Sequence, residues 1–263
     1  MTPETAPATV AFGAVYATVV GLCVGSFLNV VAWRLPRGES IVRPRSRCPH
    51  CSARISARDN VPLLSFVMLR GRCRTCGAAI AWRYPAVEAG CGLLWLASWL
   101  MFGPTFDGLL AAVFCSLMLV LAIIDASHLL LPDPLTWGGI GLGLAGSFFV
   151  GWTTPRDAVF GAAIGAGALL LLIGLWYLLR RVRGMGLGDV KMLAAVGAFL
   201  GIGGTLLTLF LASLIGALAG LLFLVRGRLG WSSRLPFGVF LAIGAVVSLF
   251  FGARLIAAYT SLL

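Results

Sequence analysis

Seven long stretches of this chain carry almost no charge, and they leave little choice of fold. They occupy residues 5–33, 89–106, 108–124, 134–155, 158–179, 192–225 and 235–253. A run of about 20 apolar residues is what a helix needs to cross the hydrocarbon of a bilayer. Only helices or closed barrels satisfy their own backbone there. The sixth stretch is too long for one crossing, and Gly201, Gly203 and Gly204 offer a break within it. The pattern predicts an all-α polytopic membrane protein of about eight transmembrane helices. Its only sizeable polar segment, residues 33–85, is expected to form a small cytoplasmic loop domain. The chain thus divides into a first helix (1–32), the polar module (33–85) and a seven-helix membrane domain (86–263). Composition agrees, since 60% of residues are hydrophobic and 11% charged, where a soluble chain carries about a quarter charged.

The charges that remain set an orientation. Arg34 is the first basic residue, and Glu4 lies ahead of it, so the basic n-region of a cleavable signal is missing. The first apolar stretch is expected to stay as an anchor. Residues 33–85 hold eleven Arg against two acids, Glu39 and Asp59. With that loop in the cytoplasm and the N-terminus outside, 18 of the 20 basic residues fall on cytoplasmic loops, leaving only Arg156 and Arg254 outside. This is the asymmetry of the positive-inside rule. The net charge of +11 is therefore read as attraction to anionic lipid headgroups and not to nucleic acid.

A module of 53 residues buries little core and calls for a staple. Cys48-Pro49-His50-Cys51 and Cys73-Arg74-Thr75-Cys76 provide one. Two-residue spacing lets both thiolates of a knuckle reach one ion, and two knuckles complete a tetrahedral zinc site. Four cysteine ligands leave no open position, so such a zinc is structural. Disulfides or a redox CxxC are the rival reading, disfavoured by a cytoplasmic location. Cys23, Cys91 and Cys115 stand alone in apolar stretches and read as small packing residues.

Acids number nine, so each can be weighed. Asp125 closes an apolar stretch, at the helix end where an anion is disfavoured. A carboxylate at membrane depth is costly and marks function by default, although an exposed turn acid would also explain it. Asp189 ends Gly184-Met185-Gly186-Leu187-Gly188-Asp189 and opens the sixth apolar stretch, where an Asp also serves as an ordinary N-cap. Gly186 and Gly188 leave backbone bare, so another chain can approach closely. Both acids fall on the cytoplasmic side. Two carboxylates facing one water form an aspartic-protease dyad that shares a proton. Asp133 before Pro134 reads as a helix cap, Glu88 as a first-turn acid, and Asp107 and Asp157 as caps. His128 reads as an interfacial polar residue. Lys191 either snorkels or eases the charge of the dyad.

These residues carry a family resemblance. Gly25-Ser26-Phe27-Leu28-Asn29-Val30 with Arg34-Leu35-Pro36, both CxxC pairs, Arg83-Tyr84-Pro85 with Glu88, Ile124-Asp125 with Leu131-Pro132-Asp133, Gly184 through Lys191, and Pro236-Phe237-Gly238 occur in order over almost the whole chain. Together they resemble the bacterial type IV prepilin peptidases, or leader peptidase/N-methyltransferases. The resemblance implies a bacterial inner-membrane enzyme with Asp125 and Asp189 as the catalytic aspartates of a GxGD-type protease. Its substrates would be prepilins or pseudopilins, cut behind a basic leader just after a glycine. It also implies methyl transfer from S-adenosylmethionine to the new N-terminus, and the cysteine module points to this bifunctional bacterial type. No glycine-rich nucleotide fingerprint accompanies that second activity, so no residues are assigned to it. Asp133 and Glu88 are candidate contacts for the basic leader. The alternative is a zinc-bearing membrane scaffold or assembly factor without chemistry. Oligomeric state is not legible.

Overall fold

A computed structural model of the protein describes residues 7–181, 186–226 and 235–261. It consists of helices α1 (Pro7–Arg34), α2 (Leu64–Met68), α3 (Arg83–Phe102), α4 (Phe106–His128), α5 (Asp133–Gly146), α6 (Pro155–Arg180), α7 (Leu187–Val225) and α8 (Phe237–Thr260). Strand-like pairing among the described residues is limited to two isolated bridges, Arg47 with Arg54 and Arg72 with Ala79. The helix faces turned away from the fold carry Phe12, Leu93, Leu171 and Phe210, all more than half exposed. In water such faces would aggregate; in lipid they have their natural partner. Six helices, α1, α3, α4, α6, α7 and α8, are long and apolar enough to cross a membrane.

The expectation of about eight membrane helices is met by counting segments. A 39-residue helix such as α7 would extend about 58 Å, nearly twice the hydrocarbon thickness of about 30 Å. It breaks at Gly201, where φ is 70° and ψ is −170°, a region open essentially to glycine alone. Gly203 and Gly204 continue as helix. The break exposes the amides of the following turn, and Asp157 answers them, its Oδ1 accepting from the Ile202 N–H at 3.3 Å. Asp157 is itself anchored where its own N–H donates to Thr154 Oγ1 at 3.2 Å. Asp157 is not the cap of its own helix, a place taken by Thr154; its carboxylate caps the second segment of α7 instead. The 134–155 stretch is less helical than its length implies: α5 stops at Gly146 after 14 residues. The segment behind it turns back, and Trp152 Nε1 donates to the Phe199 carbonyl at 2.9 Å.

The chain forms two compact units, with the boundary between Val120 and Leu121, inside α4. In the first, α1 and α3 approach through bare backbone. A Cβ on Gly21 would stand 2.9 Å from Gly92 Cα, and one on Gly25 2.8 Å from Glu88 Cα. Asn29 locks the end of this contact, its Nδ2 donating to the carbonyls of Gly25 at 3.3 Å and Tyr84 at 3.2 Å. Between α3 and α4, Trp95 Nε1 donates to Ser116 Oγ at 2.9 Å. Cys91 and Cys115 are fully buried, as packing residues should be. Cys23 is exposed, so packing explains only two of the three lone cysteines.

In the second unit, α6 and α7 meet along Gly161 and Gly165 on one side and Gly197 and Gly201 on the other. Each pair is spaced by four, the small-residue seam that lets membrane helices touch backbone to backbone. Gly143 seats α5 against Ala198 and Phe199 of α7, and Gly244 seats α8 against the Thr208 carbonyl. Thr208 and Ser248 hydrogen-bond across that contact at 3.1 Å. Gly201→Ala should be costly, because the side chain would meet Asp157 in a conformation L-residues avoid. The expected loss is about 1–3 kcal/mol. Gly203→Ala, with only Ile256 Cδ1 at 3.4 Å, should be near neutral. Thermal unfolding of both variants in detergent checks the pair.

Candidate active site and four-cysteine centre

Asp125 lies in the last turn of α4, 5% exposed, and its Oδ2 has no hydrogen-bond partner among the described residues. The helix ends just beyond it. Leu129 adopts φ 52°, and its N–H closes on the Asp125 carbonyl at 2.9 Å. The Leu131-Pro132-Asp133 turn then starts α5. The burial removes the alternative of an exposed turn acid.

Asp189 sits in the first turn of α7 behind Gly186, which takes the N-cap position expected for the Asp itself. A carboxylate in that turn is favoured by the helix dipole. Asp189 and Asp125 lie within electrostatic range of each other. Both belong to the second compact unit. Gly184 and Met185 fall outside the described residues.

The neighbouring residues divide by function. Lys191 forms an ion pair with Asp133 Oδ1, so its charge goes to Asp133. Asp133 is likewise no N-cap: α5 begins at it, with Pro132 in the cap position and no side-chain cap bond. Its side chain remains 64% exposed. Gly188 is not left bare for another chain, since a Cβ there would stand 2.9 Å from Leu131 Cβ. Gly186 does face open space, with Asp189 Oδ2 4.0 Å from its would-be Cβ. Glu88 Oε2 accepts from the Leu63 N–H at 2.8 Å, holding a residue at φ 58°, which makes it a structural clamp. His128 is exposed at the end of α4.

The sequence reading gave no role to Gly238. A Cβ built on it would lie 2.8 Å from Asp125 Oδ2, so the start of α8 lies directly against that carboxylate. The available signal was a glycine one residue into a helix that opens after Pro236.

The four cysteines of the module gather their sulfurs within 4.8 Å of one another, and Cys48 and Cys76 are 3.8 Å apart. A tetrahedron with Zn–S bonds of about 2.3 Å has edges of about 3.8 Å. No cysteine is in a disulfide. The two knuckles share one construction. Cys48 and Cys73 donate their N–H groups to Ala53 and Ala78 at 2.9 and 2.8 Å, and their carbonyls accept from Ser52 and Gly77 at 2.9 Å each. Ser52 and Gly77 both take positive φ, 57° and 71°. The Cys76 and Thr75 amides draw the Cys73 thiol down to about 6. At Cys76 the Ala78 amide acts in the same sense, but burial and the sulfurs of Cys51, Cys73 and Cys48 push the thiol up to about 11. One ready thiolate among three neighbouring sulfurs is a donor set that a divalent soft cation completes. Arg74, inside the second knuckle, clamps Asp59 with its NH2 at 2.6 Å and its Nε at 2.9–3.0 Å. That bond is the chief reason the Asp59 carboxyl lies below its usual range. The donor set and its spacing fit zinc.

Comparison with known proteins bears on both sites. Residues 19–102 match the bacterial peptidase A24 N-terminal domain, and residues 112–221 match the type IV leader peptidase family. The chain is 39% identical to a prepilin leader peptidase/N-methyltransferase of Burkholderia pseudomallei (strain 1026b) over 266 residues, covering 90% of this chain and 85% of that protein. The chain belongs to the type IV leader peptidase family. Other similar members bear the same name: one from Pseudomonas putida is 37% identical over 94% of this chain and 93% of its own length. One from Myxococcus xanthus is 45% identical over 82% of this chain and 65% of its own length. No solved structure matches. Membership in a peptidase family makes the chain an enzyme, and the scaffold alternative loses its main appeal. The A24 N-terminal match contains the four-cysteine module, and the leader peptidase match contains both Asp125 and Asp189.

Proposed function

We propose that this protein cleaves the basic leader from type IV prepilins or pseudopilins at the cytoplasmic membrane face, using Asp125 and Asp189 as an aspartyl dyad. The observation that carries the reading is a buried carboxylate oxygen at 125 with no partner among the described residues, within electrostatic range of a second acid at 189. A carboxylate left uncommitted in a membrane protein is costly, and catalysis is the use that accounts for the pair. The ionised member takes a proton from water as the water attacks the scissile carbonyl. The protonated member donates to the carbonyl oxygen, and on collapse a proton passes to the leaving amine. The open approach at Gly186 leaves room for an extended substrate backbone beside Asp189.

The new N-terminal amine is the natural acceptor for the methyl transfer that gives the relatives the second half of their name. S-adenosylmethionine would supply that methyl. The described residues form no strand–turn–helix nucleotide cradle, so no residue is assigned to it. The cysteine module holds one structural zinc in this reading. The N-terminus lies outside and residues 33–85 lie in the cytoplasm, as the charge asymmetry requires.

Leader recognition must overcome the basic character of the 33–85 module. Asp133 is the better candidate, being exposed and paired with a lysine that a leader Lys or Arg can replace. Glu88 is engaged by the Leu63 amide.

Three outcomes test these points. Asp125→Asn and Asp189→Asn, each confirmed as membrane-inserted, should cut prepilin cleavage in detergent by at least about 100-fold; full activity in either ends the dyad assignment. Asp133→Lys should lower kcat/KM for a basic-leader substrate more than for one with a neutralised leader, and equal losses would mean that Asp133 serves only the Lys191 pair. Purified protein should contain about one zinc per chain, and chelation should open the 46–80 region to protease before the helices. A metal-free protein with that region still resistant would contradict the structural role.

A further inference from the structure

The start of α8 meets the Asp125 carboxylate with no side chain between them. The would-be Cβ of Gly238 is 2.8 Å from Oδ2, 3.1 Å from Cγ and 3.4 Å from Cβ of Asp125. No side chain larger than hydrogen fits there without moving the carboxylate. Asp125 is itself buried, with Oδ2 unpartnered, on the side facing this turn. Gly238 and Val239 are the second and third residues of α8, where N–H groups have no intrahelical acceptor four residues back; the Val239 N–H closes on the Pro236 carbonyl at 3.3 Å, and the Gly238 N–H is the donor left beside the carboxylate. The Gly238 backbone lies against the carboxylate, so the positive end of α8 faces it. Pro236, just before this turn, supplies no N–H of its own. Asp125 occupies the last turn of α4, where the helix dipole opposes an anion; the positive end of α8 offsets that penalty from outside.

We infer that Gly238 is a positioning residue for the leader-peptidase reaction: by lacking a side chain it lets the amide end of α8 seat and orient the Asp125 carboxylate toward the reacting water. The site then has three backbone elements, the end of α4, the start of α7 and the start of α8. The inference rests on the proposed dyad and adds a part that touches neither substrate nor water. Glycine at 238 is needed for contact with an acid, unlike Gly161 and Gly197, which are needed for contact between helices.

The test uses the full-length protein in detergent with a prepilin substrate. Gly238→Ala places a methyl group against Oδ2. Val239→Pro removes an N–H from the first turn of α8, together with its 3.3 Å bond to the Pro236 carbonyl, and so weakens the positive helix end without adding an atom at 238; it carries the test if Gly238→Ala does not insert. Gly174→Ala, whose Cβ meets nothing within 4 Å, is the control. The expected result is kcat lower by about tenfold or more, KM within about twofold, and an unfolding temperature close to that of the control. A loss confined to KM, or a loss that only follows lowered thermal stability, overturns the inference, as does wild-type kcat in both variants. Asp125→Asn separates this failure from failure of the dyad: an inactive Asp125→Asn beside fully active Gly238 and Val239 variants removes only the role of α8, while an active Asp125→Asn removes the dyad itself.

Discussion

Helices surrounded by lipid gain little from apolar contact with one another, because lipid tails are as apolar as leucine. What holds this fold is close approach of backbones, and glycine is what permits it. The seam of Gly161, Gly165, Gly197 and Gly201 between α6 and α7 fixes the height and rotation of α7. Asp189 is two residues from the start of that helix, so a shift at the seam moves the acid. Gly143 and Gly244 seat α5 and α8 against the same α7. The second unit is therefore built around α7, with Asp189 at one end and the Asp157-capped break at Gly201 farther along.

The same economy explains how a membrane helix bundle tolerates its acids. Asp157 caps the break in α7, Asp133 pairs with Lys191, Glu88 holds the Leu63 amide and Asp59 is clamped by Arg74. Each has a geometric reason to be where it is. Among the described residues, the buried side-chain oxygens with no partner are Asp125 Oδ2 and Asn29 Oδ1. Asn29 is neutral and anchors its helix through its amide nitrogen. Asp125 is the one of the two that can carry charge, and it is met by a backbone amide terminus.

Much of this was legible because the relevant physics is local. Apolar run length gave the helices, and CxxC spacing gave a four-sulfur cluster that a tetrahedron fits. The over-long sixth stretch demanded a break, and a glycine supplied it. What escaped was non-local. Nothing near Lys191 in sequence announces that it meets Asp133, 58 positions away. Gly238 is spare backbone until Asp125 is seen against it. The spacing of Gly161 with Gly165 and of Gly197 with Gly201 could have been read as a packing seam, but four-residue glycine spacing says only that a helix has a bare face. It does not say which helix lies there. That Asp133 is no N-cap, and that the N-cap alternative for Asp189 also falls away, escaped for a smaller reason. Both are acids near helix starts, and the dipole favours an acid throughout the first turn, so composition alone does not separate cap from interior.

The distribution of charge also constrains how a basic leader can be read. The 33–85 module carries eleven Arg, while one of its two acids, Asp59, is already committed to Arg74. That surface repels a basic leader and attracts anionic headgroups, so it suits a module that rides on the membrane surface. An acid that reads the leader must be exposed and held by an exchangeable partner. Asp133 has those properties: it stands on the exposed first turn of α5, and its counter-ion is a lysine on the helix that carries Asp189. A leader lysine that displaced Lys191 would leave the total charge of the pair unchanged. Such an exchange has a small electrostatic cost in a region where creating or burying a new charge would be expensive.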